Sequence, residues 1–382
     1  MAGFNTTAIH AITENENEAI VPPIYLASTF GQPHTGEEGE FEYQRGGNPT
    51  RAKAEQAMAT IEGASFARVY ATGMGASAAA MGMLQAGDTL LMGMPVYGGN
   101  YRFGTIELPK RGVKTRFIGD LAQLSDADFD ETVKMVFFET PTNPTLRVAD
   151  IERVAEIAHR HGALVVVDNT FMTPYLQRPL ELGADITVQS ATKYLGGHGD
   201  LLAGVAATNS AELDQELFKA QLISGNVLPP MDSYRLLQNV KTLGIRLDRQ
   251  QANTEQIVQF LTGHESVARV LTAGSANEAE REIQARQASG IGALFSFQLK
   301  EGANMKAFLD ALEVFEFAVS LGGIESLICL PATMTQGAYS AEHLEEFGVE
   351  ENLIRVAVGI ENVEDLIADL DRALTAAFSS AA

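Results

Sequence analysis

Between residues 51 and 205 the chain alternates segments patterned as helices with short apolar runs patterned as strands, an order that few architectures accept. Residues 51–62 put Ala54, Ala57, Met58 and Ile61 on one helical face and stop at Gly63. A glycine turn at 72–75 runs into an alanine-rich helix that reaches Met81. Residues 87–92 and 133–139 are strand-like, 150–160 reads as a helix followed by Gly162, and 164–168 is an apolar run ending on Asp168. This alternation predicts an α/β fold with a mostly parallel sheet covered by helices on both faces. Ligands of such sheets sit beyond the carboxyl ends of the strands.

The flanks differ. Residues 1–50 carry few periodic apolar positions and several turn signals, among them Pro22-Pro23 and Gly46-Gly-Asn-Pro49, so this arm must lie on the body of the molecule or on a neighbouring subunit. From about residue 250 onward, helices with shorter strands (293–299, 353–358) and a last helix over 364–376 predict a smaller α+β domain. The expected division is an arm at 1–50, a large domain at 51–248 and a C-terminal domain at 249–382.

Charge and composition narrow the class. The 382 residues are 46% apolar and 20% charged, as in a globular protein with a large core. Lys and Arg total 27 against 49 Asp and Glu, a balance of −22 that repels nucleic acid and anionic membranes. No apolar run approaches the ~20 residues needed to cross a bilayer. The N-terminus lacks the basic and hydrophobic regions of a secretory signal, and the single cysteine, Cys329, excludes an internal disulfide. A cytoplasmic protein is expected. His159 and His161, an i, i+2 pair at a helix end, point apart and read as structural, and no metal site is expected.

The chemical signals cluster around Lys193, which follows an apolar strand at 186–188 and precedes Gly196, Gly197 and Gly199. A lysine in such a pocket can lose its proton and act as an amine nucleophile toward an aldehyde, and Ser190 and Thr192 beside it suit a phosphate. Asp168, at the end of three valines, needs a cationic partner, for which a pyridinium nitrogen would serve. Gly73 and Gly75 place backbone N–H groups at a helix N-terminus, a ready anion site. Tyr97, in a glycine-flanked loop, could stack on a ring and exchange protons. Arg355, in an otherwise apolar strand, wants a carboxylate, either a substrate's or an internal acid's. Tyr43 and Arg45 would add a hydroxyl and a guanidinium to a phosphate site. Read singly, Lys193 is also a surface lysine, Asp168 a loop cap and Tyr97 a loop tyrosine. Gly73–Ala78 also fits G-x-G-x-x-A, but no acidic residue stands ~20 positions on at a strand end, which weakens a nucleotide-dependent oxidoreductase.

In order along nearly the whole chain, the segments Pro22-Pro-Ile-Tyr25, Tyr43-Gln-Arg45-Gly-Gly-Asn-Pro-Thr, Gly73-Met74, Val96-Tyr97-Gly, Glu139-Thr-Pro-Thr-Asn143-Pro, Val167-Asp168-Asn-Thr, Ser190-Ala-Thr-Lys193-Tyr, Ser320-Leu-Gly-Gly and Leu353-Ile-Arg355 resemble the landmarks of the pyridoxal-phosphate enzymes of cysteine and methionine metabolism. The resemblance implies a PLP-dependent transferase fold of type I and pyridoxal 5'-phosphate as cofactor. Lys193 would hold the cofactor as an imine and remove the substrate's α proton. Asp168 would pair with the pyridine nitrogen, Tyr97 would stack on the ring and give a proton to sulfur, and Asn143 would bond the phenolic oxygen. Gly73, Met74, Ser190 and Thr192 would hold the phosphate, with Tyr43 and Arg45 reaching in from an adjacent subunit, and Arg355 and Ser320 would take the substrate carboxylate. Such sharing makes a dimer the minimum and a homotetramer, a dimer of dimers, the expectation.

Within the family the pointers diverge. Val319 resembles methionine γ-lyase, Glu42 and Arg102 resemble cystathionine γ-lyase, and Gly99 stands where methionine γ-lyases carry a cysteine. The expected activity is elimination of a thiol from a sulfur amino acid, giving a 2-oxo acid and ammonia. The alternative is a γ-replacement enzyme, either a cystathionine γ-synthase or a homoserine-ester sulfhydrylase.

Overall fold

A computed structural model describes residues 2–12 and 15–379. Seven strands form the larger sheet: β1 Phe66–Tyr70, β2 Thr89–Gly93, β3 Lys114–Ile118, β4 Val133–Glu139, β5 Leu164–Asp168, β6 Ile186–Ser190 and β7 Gly204–Thr208. Their order is β1-β7-β6-β5-β4-β2-β3, and every pair is parallel except those that β7 makes with β1 and β6. The central strands are apolar on both faces because both are covered. Met135 and Phe137 of β4 face one buried cluster with Ala76, Ala80 and Met81, whereas Val136 and Phe138 face the other with Ile151 and Val154.

The sequence expectations for 133–139 and 164–168 match β4 and β5 residue for residue. β1, β3 and β7 had not been distinguished. Of these, β3 is only partly buried, which weakens its apolar signal, and β7 carries two alanines and a glycine.

Two caps show how local chemistry fixes the frame. The helix Pro49–Glu62 starts two residues earlier than the apolar face suggests, because Asn48 caps it by accepting from the backbone N–H groups of Thr50 and Arg51 and proline occupies the first position. It ends at Gly63 in the left-handed region. The Asn48 amide also donates to the Tyr25 carbonyl at 2.8 Å, tying the arm to the helix. The helix Ile151–Arg160 is capped by Asp150 and buries Ile151, Val154, Ala155 and Ala158.

The smaller sheet contains β8 Val267–Leu271, β9 Leu294–Leu299, β10 Glu316–Phe317, β11 Leu327–Cys329 and β12 Leu353–Ala357 in the order β10-β11-β12-β9-β8. It is antiparallel apart from β10 against β11. The helix Val363–Phe378 contributes Leu366, Leu370, Ala373 and Leu374 to the same core as β9 and β12.

Between the two sheets runs the twenty-residue helix Leu243–Thr262, which crosses the expected division at 248/249. Arg246, Gln250 and Asn253 are buried along it at i, i+4 and i+7, one face of a helix. Arg246 donates to the carbonyl of Tyr194, next to Lys193, at 2.8 Å. Gln250 donates to the carbonyls of Gly323 and Val358, and Asn253 to those of Gly359 and Glu361, all at 2.7–3.2 Å. One helix therefore holds both the lysine turn and the strand ends of the smaller sheet. Among the described residues no helix is long and apolar enough to cross a membrane.

Candidate active site

A cavity of about 560 Å³ opens beyond the carboxyl ends of β4, β5 and β6, where a wound sheet places ligands. Lys193 reaches it from the turn after β6, which is closed by Lys193 N–H donating to the Ser190 carbonyl at 3.1 Å. Its Nζ donates to Ser320 Oγ at 2.7 Å. Burial, helped by the Arg355 charge, holds the Lys193 amine down at about 8. The neutral, nucleophilic form therefore grows in as pH rises through about 8 rather than near the ordinary lysine value. In stopped flow, the rate of aldehyde capture by the cofactor-free protein should climb through that range. A midpoint near 10 would mean that the amine is solvated as in a free lysine.

Opposite stand two carboxylates. Glu139 and Asp168 end β4 and β5 and are paired in register, so both side chains project from the same level of the sheet. Asp168 Oδ1 accepts from the Thr170 backbone N–H at 3.0 Å and from its hydroxyl at 2.5 Å. Burial raises the Asp168 carboxyl, against those bonds. Burial and then the neighbouring Asp168 charge hold Glu139 well above the usual carboxylate range.

Arg355 sits in the middle of the smaller sheet at 2% exposure, on β12 between β9 and β11. Its Nη1 donates to Asn143 Oδ1 at 3.1 Å and its Nη2 to the Ser320 carbonyl at 2.8 Å. Its Nε is buried with no acceptor in the protein. The sequence left a choice between an internal acid and a substrate carboxylate. Among the described residues this guanidinium forms no ion pair with an acid, and it lines the cavity, so the internal-acid alternative finds no partner here.

Thr72 caps the helix Gly73–Met81 by accepting from the Gly75 N–H at 3.0 Å, and Gly73, Met74, Ser190 and Thr192 all line the cavity. Gly73 lies so close to β6 that a Cβ there would fall 2.6 Å from the Ser190 Cβ. Gly73→Ala should overpack this contact at a cost of about 1–3 kcal/mol. Cofactor affinity, followed by fluorescence titration, should fall about 10-fold or more; unchanged affinity would place the phosphate elsewhere.

Tyr97 lines the cavity at 42% exposure, as the loop residue immediately before the short helix Gly98–Arg102. Its N–H donates to Glu139 Oε1 at 2.6 Å, and the N–H and carbonyl of the preceding Val96 both bond the Tyr339 hydroxyl. Asn143, Ser320, Arg102 and the half-exposed Val319 complete the wall. Glu42, Tyr43 and Arg45 are exposed and do not line the cavity of their own chain. Arg45 Nη1 donates to the Leu222 carbonyl at 2.7 Å.

Several lining residues had been given no role in advance. Thr72 was legible as the cap residue before Gly73, and Glu139 ends an apolar strand just as Asp168 does. Asn100 and Thr335 enter through contacts from distant segments and carry no sequence signal. The oxidoreductase reading fails on topology. The strand preceding Gly73 is β1, an edge strand antiparallel to its one neighbour, whereas a dinucleotide site needs that strand inside a parallel unit.

A pyridoxal phosphate fits these residues: an N-terminal helix turn with two hydroxyls for its phosphate, a partly buried carboxylate for its ring nitrogen and a lysine of lowered basicity for its aldehyde. The comparisons agree. The family model described as Cys/Met metabolism PLP-dependent enzyme matches residues 5–375. A cystathionine beta-lyase of Lactococcus lactis subsp. cremoris is 41% identical over 98% of this chain and 99% of its own length. An L-methionine gamma-lyase of Pseudomonas putida is 40% identical over 98% of both. The crystal structure of cystathionine gamma-lyase from Lactobacillus plantarum, complexed with L-serine, superposes with a TM-score of 0.95 at 38% identity, covering 98% of this chain and 99% of that one. With its wound sheet, its partly buried lysine and these relatives, the chain belongs to the pyridoxal-phosphate-dependent enzymes of cysteine and methionine metabolism.

Proposed function

We propose that the protein is a pyridoxal-phosphate-dependent carbon–sulfur lyase that eliminates a thiol from a thioether amino acid, of the cystathionine γ-lyase or methionine γ-lyase type, and releases a 2-oxo acid and ammonia. The observation that carries this reading is the chain of contacts from Lys193 Nζ through Ser320 to Arg355, which sets an amine beside a carboxylate-binding guanidinium at one end of the cavity. A bound α-amino acid has both groups to offer at that spacing.

The cofactor, when bound, supplies the electron sink that tolerates negative charge at the α carbon. The chain's own groups do the rest. Arg355, which lines the cavity together with Ser320, takes the substrate carboxylate and so aims the α C–H at Lys193. Lys193, neutral over a useful range, accepts the α proton at Nζ. Tyr97, with its backbone anchored and its phenol at the cavity, is placed to give a proton to the departing sulfur. Gly73, Met74, Ser190 and Thr192 would hold the phosphate, Asp168 would pair with the ring nitrogen, and Asn143 would bond the phenolic oxygen.

Tyr43 and Arg45, exposed outside their own cavity, complete the phosphate site of a second copy, which makes the working form an oligomer, a homotetramer on this reading. Val319, Arg102 and Glu42 shape substrate choice. The domain division at 1–50, 51–248 and 249–382 and a cytoplasmic location belong to the same proposal.

The test is product identification after incubation with pyridoxal phosphate and, separately, L-methionine, L-cystathionine, L-cysteine, or O-acetylhomoserine plus cysteine. Oxobutanoate with methanethiol or with cysteine supports the γ-lyase and names its substrate. Pyruvate with homocysteine moves the bond cleaved to the β carbon within the same class. Cystathionine made from the ester with little oxo acid replaces the lyase with a synthase.

A further inference from the structure

Glu139 is the buried acid that the proposed chemistry leaves unused. It occupies the end of β4, 5% exposed, in register with Asp168 on β5, and it lines the cavity. Its Oε1 accepts twice, from the Tyr97 N–H at 2.6 Å and from Asn100 Nδ2 at 3.2 Å. Those two donors sit at the start and within the first turn of the helix Gly98–Arg102, so a single oxygen pins the segment that carries the Tyr97 phenol. On the other side of Tyr97 the Val96 peptide is held at both its N–H and its carbonyl by Tyr339.

We propose that Glu139 is a positioning residue, acting as a hydrogen-bond acceptor that fixes Tyr97 and Asn100 over the cavity, and that this role requires no negative charge. The inference rests on the lyase reading, since it is the placement of Tyr97 in that reaction that Glu139 controls.

The case for a neutral carboxyl is first geometric. Two carboxylates at the ends of adjacent strands and paired in register, Glu139 buried and Asp168 partly buried, cannot both ionise cheaply. Each acid accepts from two donors, but those of Asp168 include a hydroxyl and Asp168 is only partly buried, so it is the better placed of the two to keep the charge. The direction in which burial and Asp168 drive Glu139 agrees. The other charged groups around it are the Arg355 guanidinium on β12 and the Lys193 amine after β6, both of which line the same cavity. Arg355 favours ionisation of Glu139, yet it is outweighed by burial and by Asp168. A neutral Glu139 leaves one anion at the strand ends, facing the position of the ring nitrogen.

The experiment compares the holoenzyme with Glu139→Gln and Glu139→Leu. Glutamine keeps the acceptor oxygen and removes the acid, so kcat should stay within about 3-fold of wild type, and the visible circular dichroism of the bound cofactor should be unchanged in shape and pH dependence. Leucine removes the acceptor, and kcat should fall about 100-fold, the scale of an ångström-sized misplacement, with a smaller change in KM and an altered dichroic band.

If glutamine is as damaging as leucine at equal cofactor content, the charge is essential and the inference is wrong. If leucine leaves kcat and the dichroic band intact, Glu139 positions nothing. Should leucine fail to fold, the glutamine pH profile still decides, since loss of an ionised group at Glu139 would displace its acidic limb. A wild-type protein that binds no cofactor or releases no oxo acid would instead sink the lyase reading, independently of either variant.

Discussion

Lys193→Ala should lower turnover at least about 1,000-fold, the scale of losing a proton acceptor held at the reacting carbon, while leaving the fold in place. The Nζ has Ser320 Oγ as its hydrogen-bond partner, and burial already works against its charge, so removing it takes away little that holds the molecule together. The checks are oxo-acid release in a coupled assay and thermal unfolding followed by circular dichroism. The variant should also lose the visible band that a covalently held aldehyde gives. Rates within 10-fold of wild type would refute the assignment of Lys193, and an unfolded variant would make the lysine structural.

Arg355→Leu should be the next largest effect, for a different reason. The guanidinium is buried on a central strand and donates to both Asn143 and Ser320. Losing its bond to a substrate carboxylate should lower kcat/KM about 100- to 1,000-fold, as truncation of one partner of a buried charge pair does, and mainly through KM. The same substitution removes a positive charge that holds the Lys193 amine down. The pH midpoint of aldehyde capture should therefore move upward, toward the ordinary lysine value. An unchanged KM and an unmoved midpoint would together detach Arg355 from the site.

What the sequence made legible tracks how local the cause is. β4 and β5 could be read residue by residue because both are apolar runs whose ends are marked by carboxylates. The caps of the helices at 49–62 and 151–160 are local chemistry, and their bounds shifted by one or two residues only because Asn48, Pro49 and Asp150 act beyond the apolar face. Arg355 stands out inside an apolar strand, Asp168 at the end of one and Lys193 between an apolar strand and a glycine-rich turn, and the structure brings all three to one cavity.

Other features have non-local causes. The reversal of β7 depends on which sheet position remains to be filled, which its small, apolar residues do not encode. Asn100 and Tyr339 matter through partners 39 and 243 residues away. Glu139 is the instructive omission. It carries the same signal as Asp168, and only the register of β4 against β5 shows that the two acids share a site.

The helix Leu243–Thr262 works as a caliper. Its Arg246 grips the turn that carries the amine, and its Gln250 and Asn253 grip the ends of the strands that carry the guanidinium, at positions four and seven residues further along. At about 1.5 Å per residue the jaws are set roughly 6–10 Å apart along the rod, and a helix of this length neither stretches nor shortens to suit a guest. On the proposed reading, the gap between amine and guanidinium would be a gauge for the one part that every α-amino acid shares. Discrimination among side chains would then fall to the wall near Val319, Arg102 and Thr335, which this helix does not grip.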